Sequence, residues 1–348
     1  MKGGTMASIP KVTVLMAVYN GEKYLNESIN SILNQTYQDF EFLTINDASV
    51  DKTLEILCEY KDPRIKVVTN EQNIGLAKSL NRGLALAKGE YICRMDADDV
   101  SLPARLEKQI SFLERNKDFG LCGSWIRNFG DKSYVDKLPV SHEEIISQLF
   151  FGYAIAHPSV VIRTDILKEI NGYNEDLRYA QDYELWSRLM KITKLKNLPV
   201  VLVKRRIHGS NSDNQTFAKE AVRKNVRQKF LQDLGIYPTI YEEKLHTAVC
   251  DCKLDFSFLF NDAEAWFQKL IRANRREKKY PEPQFSRTME KYFFYVIERS
   301  AISIPSKYYK VLDSIIRMAI GPNPIHLINR IGHLTAYEML TLYRKKRN

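Results

Sequence analysis

Residues Val12-Thr13-Val14-Leu15-Met16-Ala17-Val18 form an unbroken apolar and β-branched run, the pattern of a strand buried on both faces. Leu25, Ile29, Ile32 and Leu33 then recur at helical spacing. The alternation continues with a strand at Phe40–Ile45, a helix from Asp51 to Tyr60 and a strand at Ile65–Val68. A helix from Gly75 to Ala87 and a strand at Tyr91–Met95 follow, and Pro103, suited to a first helical turn, opens the next helix. Strands alternating with helices predict an α/β fold on a largely parallel sheet. Beyond Leu121 the pattern is less regular, with strand candidates at Gly123–Arg127, Ser159–Arg163 and Val200–Val203. The polar run 209–215 closes this body. The remainder reads as helical, including a stripe at Val311, Leu312, Ile315, Ile316, Ala319 and Ile320.

In open α/β sheets ligands sit beyond the carboxyl ends of the strands. That rule selects Tyr19-Asn20-Gly21-Glu22, Asn46-Asp47-Ala48-Ser49 and Asp96-Ala97-Asp98-Asp99, each polar and each with a carboxylate. Neither Gly-x-Gly-x-x-Gly nor a Walker-type Gly-Lys-Ser/Thr occurs. A phosphate site without a glycine cradle must neutralise charge otherwise, and an acidic cluster does so only through a divalent cation. Asp96 and Asp98, two apart in an extended segment, face one ligand together, with chemistry suited to Mn²⁺ or Mg²⁺. The alternative is a solvated acidic turn ahead of the helix at Pro103.

From Lys11 to Asp213 the chain resembles the family 2 glycosyltransferases, whose catalytic domain has the nucleotide-diphospho-sugar transferase fold called GT-A. The resemblance rests on residues 14–21, 46–53 and 89–99, with His157-Pro158-Ser159-Val160, Gln181-Asp182-Tyr183-Glu184-Leu185-Trp186 and Arg206-Ile207-His208-Gly209-Ser210 further on. It implies that Tyr19 and Glu22 line the nucleotide pocket and that Asp47 bonds the base, usually uracil. It implies Asp96 near the ribose and metal, and Asp98 on the metal that bridges the diphosphate. Lys78 is either a phosphate contact or a surface lysine. His208 is a ligand to metal or diphosphate, or it orders its loop. His157 shapes the acceptor side or is a buried structural histidine. Asp182, at the first turn of an apolar-spaced helix, is the implied base for inverting transfer, against a plain capping role. The chain departs from the family pattern at Ala17, Asn46 and Gln181, none of them assigned a catalytic role.

Composition changes the picture in two places. Five cysteines without a paired Cys-x-x-Cys spacing suggest a reducing, cytosolic setting, and residues 1–10 lack the apolar core of a secretory signal. The net charge of +10 is unevenly spread: residues 1–214 hold 28 basic and 28 acidic side chains, residues 215–348 hold 24 and 14. The expected organisation is therefore a flexible start at 1–10, a GT-A domain at 11–214 and a helical basic region at 215–348. That region, ending in Arg344-Lys345-Lys346-Arg347, suits an anionic membrane surface, or else packs on the body or a second subunit. No nucleic-acid-binding motif accompanies the charge. The Gln-x-x-Arg-Trp signature of processive synthases and any membrane-length apolar run are both missing. The expected activity is inverting, metal-dependent, single-sugar transfer from a nucleotide-sugar donor, a UDP-sugar, to a glycan or lipid-linked acceptor in bacterial surface polysaccharide assembly. The rivals are a sugar-phosphate nucleotidyltransferase, which needs a glycine-rich phosphate loop, and a catalytically silent glycan-binding or scaffold subunit.

Overall fold

The structure is a computed structural model that describes residues 9–208, 216–252 and 260–301. The chain divides into two compact units, one ending at Phe230 and the other starting at Leu231.

The first unit is a nine-stranded sheet. Strands β1 (Val12–Val18), β2 (Phe40–Asn46), β3 (Ile65–Thr69) and β4 (Tyr91–Met95) lie parallel in the order β3-β2-β1-β4. Their crossovers are α1 (Leu25–Leu33), α2 (Thr53–Glu59) and α3 (Leu76–Leu86). β2 and β4 are buried throughout because helices cover both faces, which is why apolar residues dominate both segments, with Glu41, Thr44, Asn46 and Arg94 as the buried polar exceptions. After the short β5 (Val100–Ser101), α4 (Arg105–Arg115) packs Leu106, Ile110 and Leu113 into the core. β6 (Phe119–Gly130) then pairs in parallel with β9 (Lys194–Ile207). The antiparallel pairings belong to three short strands: β5, β7 (Tyr134–Asp136) and β8 (Val161–Arg163), the last seated between β4 and β6. Most paired residues are thus parallel.

Two expected boundaries differ for local reasons. The second helix starts at Thr53 because Asp51 accepts from the Thr53 N–H, at 3.0 Å, and so precedes the helix. The Ser159–Arg163 strand begins only at Val161, since His157–Ser159 form a 3₁₀ turn with Pro158 in its first positions. Between β7 and β9 stand α5 (His142–Leu149), α6 (Thr164–Glu169) and α7 (Gln181–Leu189).

Helix α8 (Thr216–Asp233) gives its residues up to Phe230 to the first unit. The second unit holds α9 (Ile240–Cys250), α10 (Phe260–Glu277) and α11 (Gln284–Ala301). Thr239 and Glu242 cap α9 reciprocally. Its core comprises Leu245, Val249, Trp266, Phe267, Leu270, Phe285, Met289 and Val296. The Val311–Ile320 stripe and Arg344–Arg347 lie outside the described residues, as does the polar run 209–215.

Candidate active site

β4 ends at Met95, and the chain turns through Asp96–Asp99 into β5. The turn gathers carboxylate oxygens of Asp96, Asp98 and Asp99 within 4.8 Å of one another, the one such acidic group among the described residues. Burial raises the Asp98 carboxyl above its ordinary value and the Asp96 charge adds to this, while His208 opposes it. Asp99 stands well above its ordinary value through burial and the charges of Asp96 and Asp98. Asp99 is 1% exposed, yet its Oδ2 has no hydrogen-bond partner. Three crowded carboxylates and an orphaned buried oxygen are what a hard divalent cation would satisfy. The donor set is all oxygen, so the residues fit Mn²⁺ or Mg²⁺. Asp99 is the member of this cluster that the two-residue spacing argument left out. Its signal in the sequence was its place as the third acid of one turn.

The end of β9 braces this turn. Arg206 N–H donates to Asp99 Oδ1 at 2.8 Å, and Arg206 Nε donates to the Asp98 carbonyl at 3.0 Å. The Arg206 guanidinium is sandwiched between Tyr24 (4.2 Å) and Phe129 (4.4 Å) and pairs with Glu27. Two residues on, His208 Nε2 donates to Asp98 Oδ2 at 2.9 Å, its ring 5.3 Å from that of Tyr24. From below, Ser28 Oγ donates to the Asp96 carbonyl at 2.9 Å, and the buried Arg94 pairs with the Asp96 carboxylate. Fully buried Arg105 supports that strand end by donating to the Arg94 carbonyl at 2.8 Å. Arg94 and Arg206 stand in blocks that carry the family resemblance but were assigned no role there, and Arg105 carries no sequence signal that separates it from a surface arginine.

The loops after β1 and β2 lock together at the sheet's carboxyl edge. Asn20, with φ 53°, accepts from Val50 N–H at 3.0 Å, and Gly21 N–H donates to Thr53 Oγ1 at 2.8 Å. Glu22 Oε2 accepts from Lys52 N–H at 2.9 Å, so its side chain fastens this loop pair. Tyr19 stands beside it, 50% exposed. Asp47 is buried, and its carboxylate accepts from Asn70 Nδ2 at 2.6 Å and from the Ile74 and Gly75 N–H groups, both at 2.9 Å. Gly75 has φ 88°, a conformation that favours glycine, and α3 starts from it. Asp47 thus fixes the loop leading into α3 and keeps one acceptor position in hand. Lys78 is exposed on α3 and makes no hydrogen bond or ion pair with the described residues.

Across the cleft, Ala180 at φ 51° turns the chain into α7, whose second residue is Asp182. Asp182 Oδ1 accepts from Tyr183 N–H at 2.9 Å. Burial raises its carboxyl above the ordinary value against that bond and the charges of Arg94, Lys219 and Arg223. Arg94 pairs with Asp96, and its charge also acts on Asp182, His157 and Tyr173, so one buried cation couples the acidic turn electrostatically to the raised carboxylate. His157 is buried, shares a 2.8 Å hydrogen bond with Tyr173 and meets Trp186 edge-on at 5.9 Å. Burial and then Arg94 push its pKa well down, so it is a neutral wall residue beneath the site.

A mostly parallel sheet with an acidic turn at its carboxyl edge is the arrangement of a glycosyltransferase. The chain is a member of glycosyl transferase family 2, whose family model matches residues 13–170. A Haemophilus influenzae protein described as an uncharacterized glycosyltransferase is 36% identical over 251 residues, covering 66% of this chain and 77% of that one. The Escherichia coli O-antigen biosynthesis glycosyltransferase WbnJ is 35% identical over 217 residues, covering 60% and 84%. The crystal structure of S. aureus TarS 1-349 in complex with UDP-GlcNAc superposes with a TM-score of 0.57 at 18% identity, over 81% of this chain and 91% of that one. That likeness establishes the shared GT-A fold.

Proposed function

We propose that the protein is an inverting, metal-dependent transferase that adds one sugar per encounter, from a UDP-sugar to a glycan or lipid-linked acceptor. The observation that carries the reading is the trio Asp96, Asp98 and Asp99, with its orphaned Asp99 oxygen, together with the raised carboxyl of Asp182 on a separate element, α7.

Asp98 and Asp96 would hold Mn²⁺ or Mg²⁺, with Asp99 and His208 at its margin, and the ion supplies charge neutralisation for a departing diphosphate. Asp182 accepts the acceptor hydroxyl's proton as that oxygen bonds the anomeric carbon. The bond from that carbon to the diphosphate breaks, and the diphosphate keeps the electron pair. Attack opposite the leaving group inverts the anomeric centre. A base with a raised pKa holds a proton more readily at neutral pH, which suits this step. Asp47 keeps one acceptor position, enough for the imide N–H of uracil, while Tyr19 offers a ring at the pocket mouth and Glu22 holds that loop. Lys78 is near α3's start and would reach phosphate only by side-chain movement, so a surface role is the simpler reading.

The setting is bacterial surface polysaccharide assembly, capsule or lipopolysaccharide, as the names of WbnJ and of the amylovoran biosynthesis glycosyltransferase AmsE of Erwinia amylovora suggest. AmsE is 33% identical over 210 residues. No helix among the described residues is long and apolar enough to cross a membrane. A cytoplasmic enzyme touching an anionic membrane surface, or a second copy, through residues 215–348 fits the charge distribution. Nucleotide release from a panel of UDP-, GDP- and dTDP-sugars, with Mn²⁺ or with EDTA, tests the reading. The expected result is turnover of a UDP-sugar that depends on metal.

A further inference from the structure

This inference rests on the transferase reading and deepens it on the acceptor side. Three elements converge on the first turn of α7. Tyr183 Oη donates to the Leu149 carbonyl at 2.6 Å, which ties the end of α5 to the residue beside Asp182. The Phe150 ring, next in sequence, stacks on Phe230 of α8 at 6.1 Å, and Phe230 meets Tyr183 edge-on at 6.3 Å. This aromatic junction holds the 150–156 loop and α8 against the base.

Both elements carry side chains the mechanism has not used. Tyr153 exposes 47% of its surface, yet burial raises its hydroxyl's pKa, as expected of a group lining a cleft. Asp182 acts on that phenol electrostatically, and the Arg205 guanidinium lies 6.0 Å from the ring. On α8, Lys219, Arg223 and Phe230 fall within about 40° of one another around the helix axis, given ~100° per residue. The face that seats Phe230 against Tyr183 therefore continues to Arg223 and Lys219. Both are half-buried, and both reach Asp182 with their fields. Residues 216–230 carry five basic side chains and one acidic. That acid, Glu220, is 2.7 Å from Arg227 and 3.9 Å from Arg223, so one carboxylate is set against five basic side chains and the stretch keeps a net positive charge.

We propose that Tyr153, Lys219 and Arg223 form an acceptor subsite beside Asp182 for a saccharide that carries phosphate. The tyrosine ring packs on the apolar face of the sugar, and the two cations hold the phosphate. The phosphate comes either from a lipid diphosphate carrier or from a soluble phosphoglycan.

The test follows calorimetric binding of three probes to the full chain: farnesyl diphospho-N-acetylglucosamine, glucose 1-phosphate and octyl glucoside. Titrations run with and without saturating UDP and Mn²⁺, which occupy any donor phosphate site. At least one phosphorylated probe should bind more tightly than octyl glucoside, and the Lys219→Ala/Arg223→Ala pair should weaken it about tenfold while leaving octyl glucoside unaffected. Tyr153→Ala should weaken all three, and Tyr153→Phe should retain them. Preference for the farnesyl probe assigns the lipid carrier, and equal binding of the two phosphorylated probes assigns the soluble source. The Lys219→Arg/Arg223→Lys pair keeps the charge and should bind as the parent, which separates lost charge from lost folding. Octyl glucoside binding as well as the phosphorylated probes, or an unaffected alanine pair, overturns the subsite. Failure of UDP itself to bind counts against the donor reading, because the phosphorylated probes are also read without it.

Discussion

His208 Nε2 lies 2.9 Å from Asp98 Oδ2, a contact that spans 110 residues and joins the end of β9 to the acidic turn after β4. It orients one carboxylate of the cluster and partly offsets the burial that raises it. A partner that fixes a ligating carboxylate typically contributes tenfold to a hundredfold in metal affinity. His208→Ala should therefore weaken Mn²⁺ binding by about 10–100-fold, read by electron paramagnetic resonance titration. Asp98→Ala should abolish activity, and chelation of the parent protein should do so reversibly. Full activity in excess EDTA would sink the metal reading.

For the base, Asp182→Asn should leave donor affinity nearly unchanged while turnover falls by roughly 10²–10⁴, the usual contribution of a general base. The amide keeps the shape but cannot take the proton. Because burial raises Asp182, its deprotonated form is lost at a higher pH than for an ordinary aspartate. The acid limb of the kcat profile should accordingly lie above the ordinary aspartate value of 3.8. Near-normal turnover in the variant would return Asp182 to helix capping.

Arg206 braces the turn through stacking as well as charge. Arg206→Lys keeps the charge but loses the planar group between Tyr24 and Phe129, and with it the bond to the Asp98 carbonyl. Expected are a stability loss of about 1–2 kcal/mol by urea unfolding and a weaker Mn²⁺ complex. An unchanged denaturation midpoint would mean the sandwich contributes little.

The parallel half of the sheet was legible because burial on both faces writes itself as apolar runs, as in Val12–Val18, and as in Tyr91–Met95 but for its buried Arg94. The acidic turn was legible because three acids in four residues after such a run have few structural uses. What stayed hidden was contact at long sequence separation. Nothing local marks Arg94 as the cation that pairs with Asp96 and whose charge also acts on Asp182, or Arg206 as a brace 108 residues from the turn it holds. Asp47 shows the limit from the other side. Its position at the end of β2 points to the pocket, but three of its acceptor positions are taken by Asn70, Ile74 and Gly75. His157 was left between two readings in the sequence, and its burial against Tyr173 and Trp186 accounts for the wall position.

Glu41 offers a test of the scaffold that stays clear of the cleft. It is buried in β2 and accepts from Thr13 Oγ1 (2.7 Å), Lys66 Nζ (2.6 Å) and Lys88 N–H (2.8 Å). Thr13 Oγ1 in turn accepts from Gly89 N–H at 2.9 Å, so the knot joins β1, β2, β3 and the turn into β4. Burial alone would raise the Glu41 carboxyl, but Lys66, Thr13 and Lys88 together hold it below the ordinary glutamate value of 4.5. A lowered folded-state pKa means stability that is fully present above 4.5 and is lost as pH falls through the lowered value. Glu41→Gln keeps the shape and forfeits the charge-assisted bonds. It should cost about 1–3 kcal/mol at pH 7, where Lys66, half in solvent, contributes the smaller share. As pH falls through that lowered value the parent carboxylate takes up its proton, so the two proteins should draw together. Urea unfolding of both in steps from pH 7 down through the acid range reads this directly, and a gap that never narrows as pH falls would show that the ionised form of Glu41 adds nothing to the fold.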